Sequence, residues 1–192
     1  KNIIDSFTPS TENSKYSMQI ALAHISNKNF TEASKWLNIA NELDTSKSEL
    51  EYAKFLIALN DNNNLNTIIS FLNSINNNLD TNTNIKSIET IDVLNRFLEI
   101  NSSQTYNFDY KVIADERVMP SYFLIKDIQE NMTGQNNLTL FLLSLISMNN
   151  KKWNELHPEH LNLLLEAYMI YDDGSLMSSI ILEILNDLNI IQ

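Results

Sequence analysis

Two histidines three residues apart, His157 and His160 in HPEH, are the first candidates for chemistry in this chain. On a helix that spacing can turn both rings to one side, and imidazole nitrogen is an ordinary metal ligand. A structural metal needs further ligands, and no second cluster of His, Asp or Glu is spaced to supply them. HPEH also reads as a plain helix start, with Pro158 at the first helical position. We expect no metal there. The stretch DTNTNIKSIETID at 80–92 opens like a calcium loop, with Asp80, Asn82 and Asn84 at alternating positions. It fails further on, because Ile85 stands where the sharp turn needs Gly and Ile91 where the bidentate Glu belongs. Three histidines and no cysteine leave little from which to build a nucleophilic site, and two distant glycines cannot form a phosphate cradle. The carboxylate pairs Asp172–Asp173 and Glu42–Asp44 sit beside turn residues at helix ends, where they are solvated caps. The expectation is no catalytic residue, no metal and no cofactor.

The elements that position these groups follow from composition and pattern. The chain has 192 residues, 43% apolar and 19% charged, enough for a sizeable core. Its 24 acidic and 13 basic residues give a formal charge of −11. That sign repels a phosphate backbone, so nucleic acid is not expected, whereas a basic peptide or protein surface would be attracted. The longest dense apolar run, Leu138 to Met148, is too short to span a bilayer, so the chain is not expected to insert into a membrane. The chain begins at Lys1 without Met, which raises the expectation of a removed upstream segment, a signal peptide or an anchor. Cysteine-free sequence fits either a reducing or an oxidising compartment, so localisation stays open.

Only two Gly and three Pro occur, and each falls where a helix should begin or end. The spacing predicts an all-α fold of about nine helices, at 12–27, 31–43, 47–60, 64–76, 85–100, 120–132, 136–149, 158–172 and 175–189. Ser46 and Glu49 form a capping-box pattern. Leu65, Ile68, Ile69, Leu72 and Ile75 make one stripe, and Leu176, Met177, Ile180, Ile181, Ile184, Leu185 and Leu188 another. The seventh and eighth helices, LTLFLLSLISM and LNLLLEAYMIY, are apolar on nearly every side. Both are therefore expected to be covered by neighbours on both flanks, with their Leu, Tyr and Met residues in the core. Short connections imply antiparallel pairs. The segment 101–119, NSSQTYNFDYKVIADERVM, alternates like a strand over 104–114 yet could also line a helix face; we expect an ordered connection. The implied organisation is a tail at 1–11, helical hairpins at 12–100, a connection at 101–119 and further hairpins at 120–192.

In NFTEASKWLNIANELD, residues 29–44, small Ala33 and Ala40 flank Leu37 at four-and-three spacing, with Phe30 just upstream. The preceding helix has Ile20 and small Ala21 at its centre, and a turn at 27–29 joins the two. This hairpin resembles a tetratricopeptide repeat, in which small side chains let two antiparallel helices approach closely. It departs from that pattern at Tyr16, where the early aromatic is shifted, at His24, where an aromatic is usual, and at Thr45, where a closing Pro is absent. A second, degenerate unit can be laid over 48–79, with Ala53 at the small position and Leu65, Ile69 and Leu72 at the second helix's positions. The resemblance implies a right-handed array of antiparallel hairpins, an α-solenoid whose surface binds a peptide or helix of another protein. It places the contacts on the first helix of each hairpin, at Gln19, His24, Glu51 and Lys54. Two other readings are a helical ligand-binding or enzyme domain with a pocket near 106–118, using Asp115, Glu116 and Arg117, and a structural subunit whose seventh to ninth helices bury against another copy.

Overall fold

A computed structural model describes residues 4, 7–8, 13–43, 45–60, 64–80, 85–101, 117, 119–134, 137–170 and 175–189. Among them the secondary structure is entirely helical, with nine α-helices and short 3-10 turns and no strand. None of these helices is long and apolar enough to cross a membrane. The segment expected as a connection at 101–119 lies outside the described residues except for Asn101, Arg117 and Met119. The chain divides into two compact units, residues 1–71 and 72–192.

The first unit contains α1 (Ser17–Ser26), α2 (Phe30–Glu42), α3 (Lys47–Asn60) and the first half of α4 (Leu65–Asn78). The turn between α1 and α2 is closed by backbone bonds from Lys28 N–H to Ile25 O (2.9 Å) and from Asn29 N–H to His24 O (2.9 Å). Lys28 takes the left-handed conformation there, φ 57°, the usual way a chain leaves an α-helix. Asn29 then caps α2, its Oδ1 accepting from Glu32 N–H at 3.5 Å. Likewise Ser46 Oγ accepts from Glu49 N–H at 3.3 Å at the start of α3. The three helices share one core: Ala21, Ala33, Ala40 and Ala53 are all wholly buried among Met18, Ile20, Ile25, Trp36, Leu37 and Leu50. Four alanines at the contact leave room for Trp36. From α4, Phe71 stacks on Phe55 of α3 with ring centroids 4.3 Å apart.

The second unit contains the rest of α4, α5 (Ile85–Asn101), α6 (Tyr122–Gly134), α7 (Asn137–Met148), α8 (Pro158–Met169) and α9 (Ser175–Asp187). Helix α8 is its centre, packing on α5, α6, α7 and α9. Its Leu161, Leu163, Leu164, Leu165, Ala167 and Tyr168 are all buried. Helix α9 packs on it and buries Ile180, Ile181, Ile184 and Leu185 of the predicted stripe. The end of α9 is tied to the 3-10 turn before α8, where Trp153 N–H donates to Asp187 Oδ2 at 3.2 Å. Helices α4 and α5 are joined by polar bonds, Asn95 Nδ2 to Asn73 Oδ1 (2.9 Å) and Asn76 Nδ2 to Asp92 Oδ1 (2.7 Å). Burial pushes the Asp92 carboxyl above its ordinary value, opposed by that bond from Asn76. Ile85 and Ile91 both lie in α5, so no loop geometry exists at 85–92 for a calcium ion.

Candidate interaction surface

The contact positions expected on α1 and α3 differ in exposure. Gln19 and Lys54 are exposed and Glu51 is half-buried beside Lys47, 3.7 Å away. His24 is turned inward, only 2% exposed, so it cannot form part of a docking surface. Its Nδ1 has no hydrogen-bond partner among the described residues. An open groove of about 450 Å³ is lined by Gln19 with Ser14, Lys15, Ser17, Met18, Leu43, Thr45 and Glu49. Neither Glu51 nor Lys54 reaches it.

The groups that could do chemistry are each engaged elsewhere. His157 accepts from Glu159 N–H through Nδ1 at 3.3 Å, capping α8. His160, 1% exposed, points inward to Ser147 Oγ, 2.9 Å from its Nε2. The two rings therefore do not share a ligand position. Among the described residues no three His, Asp or Glu side chains are grouped to hold a metal. The Ser147–His160 pair has the residue types of a nucleophile and its base, but the proton runs the wrong way. Ser147 Oγ lies 2.7 Å from the carbonyl of Ser144, which can only accept, so the hydroxyl proton points there. His160 must then donate from Nε2–H to Ser147, which is opposite to activating the hydroxyl. Burial, with Lys151 and His157 nearby, lowers the His160 pKa from 6.5 to about 4. Of the charged groups near the expected pocket, Asp115 and Glu116 lie outside the described residues. Arg117 is buried in an ion pair with Glu89, and its Nη1 donates to Asn154 O at 3.4 Å.

The feature without an internal explanation is α7. Its buried face carries Leu140, Ser144 and Ser147, and its exposed face carries Leu138, Phe141, Leu142, Leu145 and Ile146. At 100° per residue the five exposed apolar positions form one arc of about 140°. This corrects the expectation that α7 is covered on both flanks. Polar bonding accompanies this: Ser147 bonds His160 of α8, and Ser144 Oγ donates to Leu140 O at 2.8 Å within α7. The buried bond from Ser147 to His160 holds the rotation of α7, since turning the leucines inward would break it. Burial raises the Tyr168 pKa, opposed by its bond to Ser144. Phe141 meets Tyr168 edge-on with centroids 6.1 Å apart and remains 42% exposed.

No family model, curated protein or solved structure matches the chain.

Helix α6 extends the face. It pairs with α7 and packs on the shared core through Ile128. At its start Tyr122 and Phe123 are 73% and 77% exposed. Large exposed apolar patches on folded domains are where contacts with other molecules tend to form. The charge around it differs from that of the whole chain. Leaving aside Arg117, which is buried against Glu89, residues 119–155 hold three basic side chains (Lys126, Lys151, Lys152) and three acidic ones (Asp127, Glu130, Glu155), a balance of zero against −11 overall. Sequence patterning misses this face because it assigns serines to solvent and leucines to the core, and α7 does the reverse.

Proposed function

We propose that this chain is a non-catalytic protein–protein interaction module, with its helical hairpins as scaffold and the outer face of α6 and α7 as the docking surface for a helix of its partner. The observation that carries this reading is the inverted helix α7, which exposes five large apolar residues while burying two serines. A partner helix laid along this stripe would cover side chains at i, i+3, i+4, i+7 and i+8, the spacing of a helix-in-groove contact. The burial of Ala21, Ala33, Ala40 and Ala53 at one helix contact is in keeping with a tetratricopeptide-like hairpin at the N-terminal end, and a solenoid built from such hairpins belongs to the same proposal. The near-neutral charge of residues 119–155 favours an apolar partner surface over the basic one suggested by the total charge.

A photo-reactive side chain placed at Leu142 tests this, with Gln19 and Lys54 as the competing surface. Adducts at Leu142, mapped by peptide sequencing to one segment of one identified chain, are the expected result. Adducts only at Gln19 or Lys54 would move the binding surface to α1 and α3. Absence of adducts at all three positions would remove the interaction reading.

A further inference from the structure

We propose that the occupant of the α6–α7 face is a second copy of this chain, with α7 packing antiparallel on its counterpart across a two-fold axis near Leu142. This rests on reading that face as the partner-binding surface. Its seven apolar side chains each keep between 42% and 77% of their surface in solvent. Together they present on the order of 700 Å², close to the roughly 800 Å² per partner of a standard stable interface. A chain of charge −11 should repel itself, and this face avoids that cost. No charged residue lies between Asn137 and Asn150, and residues 119–155 balance to zero. The stripe is also self-complementary. It runs from Leu138 to Ile146 with Leu142 at its midpoint, so a two-fold axis there sets Leu138 of one copy against Ile146 of the other. Phe141 and Leu145 then fill the gaps beside the axis, and antiparallel helices place opposite dipole ends together. Because the hydrogen bond to His160 holds α7 in its rotation, the face is formed before the copies meet.

The chain contains no cysteine, so single introduced thiols report position cleanly. Light scattering of the full chain at micromolar concentration should give twice the chain mass of 22.1 kDa. Under mild oxidation Leu142→Cys should form an inter-chain disulfide at least about tenfold faster than Leu138→Cys or Gln19→Cys, because only a residue on the axis meets its own copy. Ile146→Glu changes a side chain that is 64% exposed, so helix content should be unchanged. That variant should dissociate the dimer by about 100-fold or more, since two carboxylates would be buried unpaired. A monomer at the same concentration, or a Leu142→Cys rate no faster than that of Gln19→Cys, overturns the proposal. So does a monomer that co-sediments with phosphatidylcholine vesicles through this face. A monomer whose photo-reactive Leu142 derivative captures a different, identified chain would defeat the second copy and keep the interaction surface. One that captures nothing would defeat both.

Discussion

Helices α7 and α8 are near twins in sequence and opposites in structure. LTLFLLSLISM and LNLLLEAYMIY are both apolar on almost every side. Yet α8 buries Leu161, Leu163, Leu164 and Leu165, while α7 leaves Leu138, Leu142, Leu145 and Ile146 in solvent. The difference lies in their neighbours. Helix α8 is wrapped by α5, α6, α7 and α9, whereas the main contacts of α7 are α6 and α8. An all-round apolar sequence therefore does not guarantee that neighbours in its own chain cover every side of the helix.

The sharpest way to break the comparison is to shorten one leucine in each helix. Leu164→Ala removes a wholly buried side chain and should cost about 4 kcal/mol in urea unfolding, the cavity staying open among packed helices. Leu142→Ala, at 49% exposure, should cost under about 1 kcal/mol when measured on the dilute chain. Equal losses would mean that α7 is as enclosed as α8, and the apolar face would cease to be a surface.

Helix placement was largely legible in the sequence, because the markers act locally. Pro158 at the first turn of α8, Ser46 capping α3, and the Ile180–Ile184 stripe of α9 all behave as their spacing requires. What escaped was anything depending on which face meets which neighbour. His24 reads as a surface position on an amphipathic helix, but three helices converge on Ala21, Ala33 and Ala53 and carry it inward. In HPEH the i, i+3 spacing leaves open where each ring points, and the structure turns His157 to the helix start and His160 to Ser147. Asn149 and Asn150 take positive φ, 48° and 57°, in the turn that ends α7. Asparagine tolerates that region better than most residues.

Acid should separate the two helices through the bond between them. The folded chain holds the His160 pKa down at about 4, against 6.5 for the free side chain. Between those values the unfolded chain takes up a proton that the folded one refuses, so stability falls as pH falls. Above pH 6.5 this contribution is absent. From pH 7.5 to 5 the loss is about 2 kcal/mol. Asp92, with its carboxyl raised by burial, works in the opposite sense, binding its proton more tightly in the folded state. Comparing the wild type with His160→Asn therefore isolates the histidine. The variant should lose the slope between pH 7.5 and 5 in denaturant titrations, and an unchanged slope would assign it to other groups.

The same bond can be cut from the α7 side. Ser147→Ala leaves the His160 Nε2–H buried without its acceptor, and should cost about 1.5 kcal/mol at pH 7.5. That is a large effect for removing one oxygen, and it belongs to the face of α7 where the polar residues are. A change within about 0.3 kcal/mol would mean that α7 is not held in rotation by this hydroxyl.

The smallest effect belongs to the reverse exchange, an apolar residue made polar on the outer face. Ile146→Gln replaces a side chain that is 64% exposed with one of similar length that water solvates well. Glutamine has good helix propensity, and β-branched isoleucine has slightly less, so the local term favours the variant by a few tenths of a kcal/mol. In the dilute chain the midpoint of thermal unfolding should therefore move by no more than about 2 °C, corresponding to about 0.5 kcal/mol. The wild type should show a midpoint that rises with protein concentration, as any chain stabilised by association must, and the variant should not. On the proposed reading the α7 stripe serves association, and a polar substitution there should cost the fold almost nothing. A loss above about 2 kcal/mol in the dilute variant would show that Ile146 is packed within its own chain.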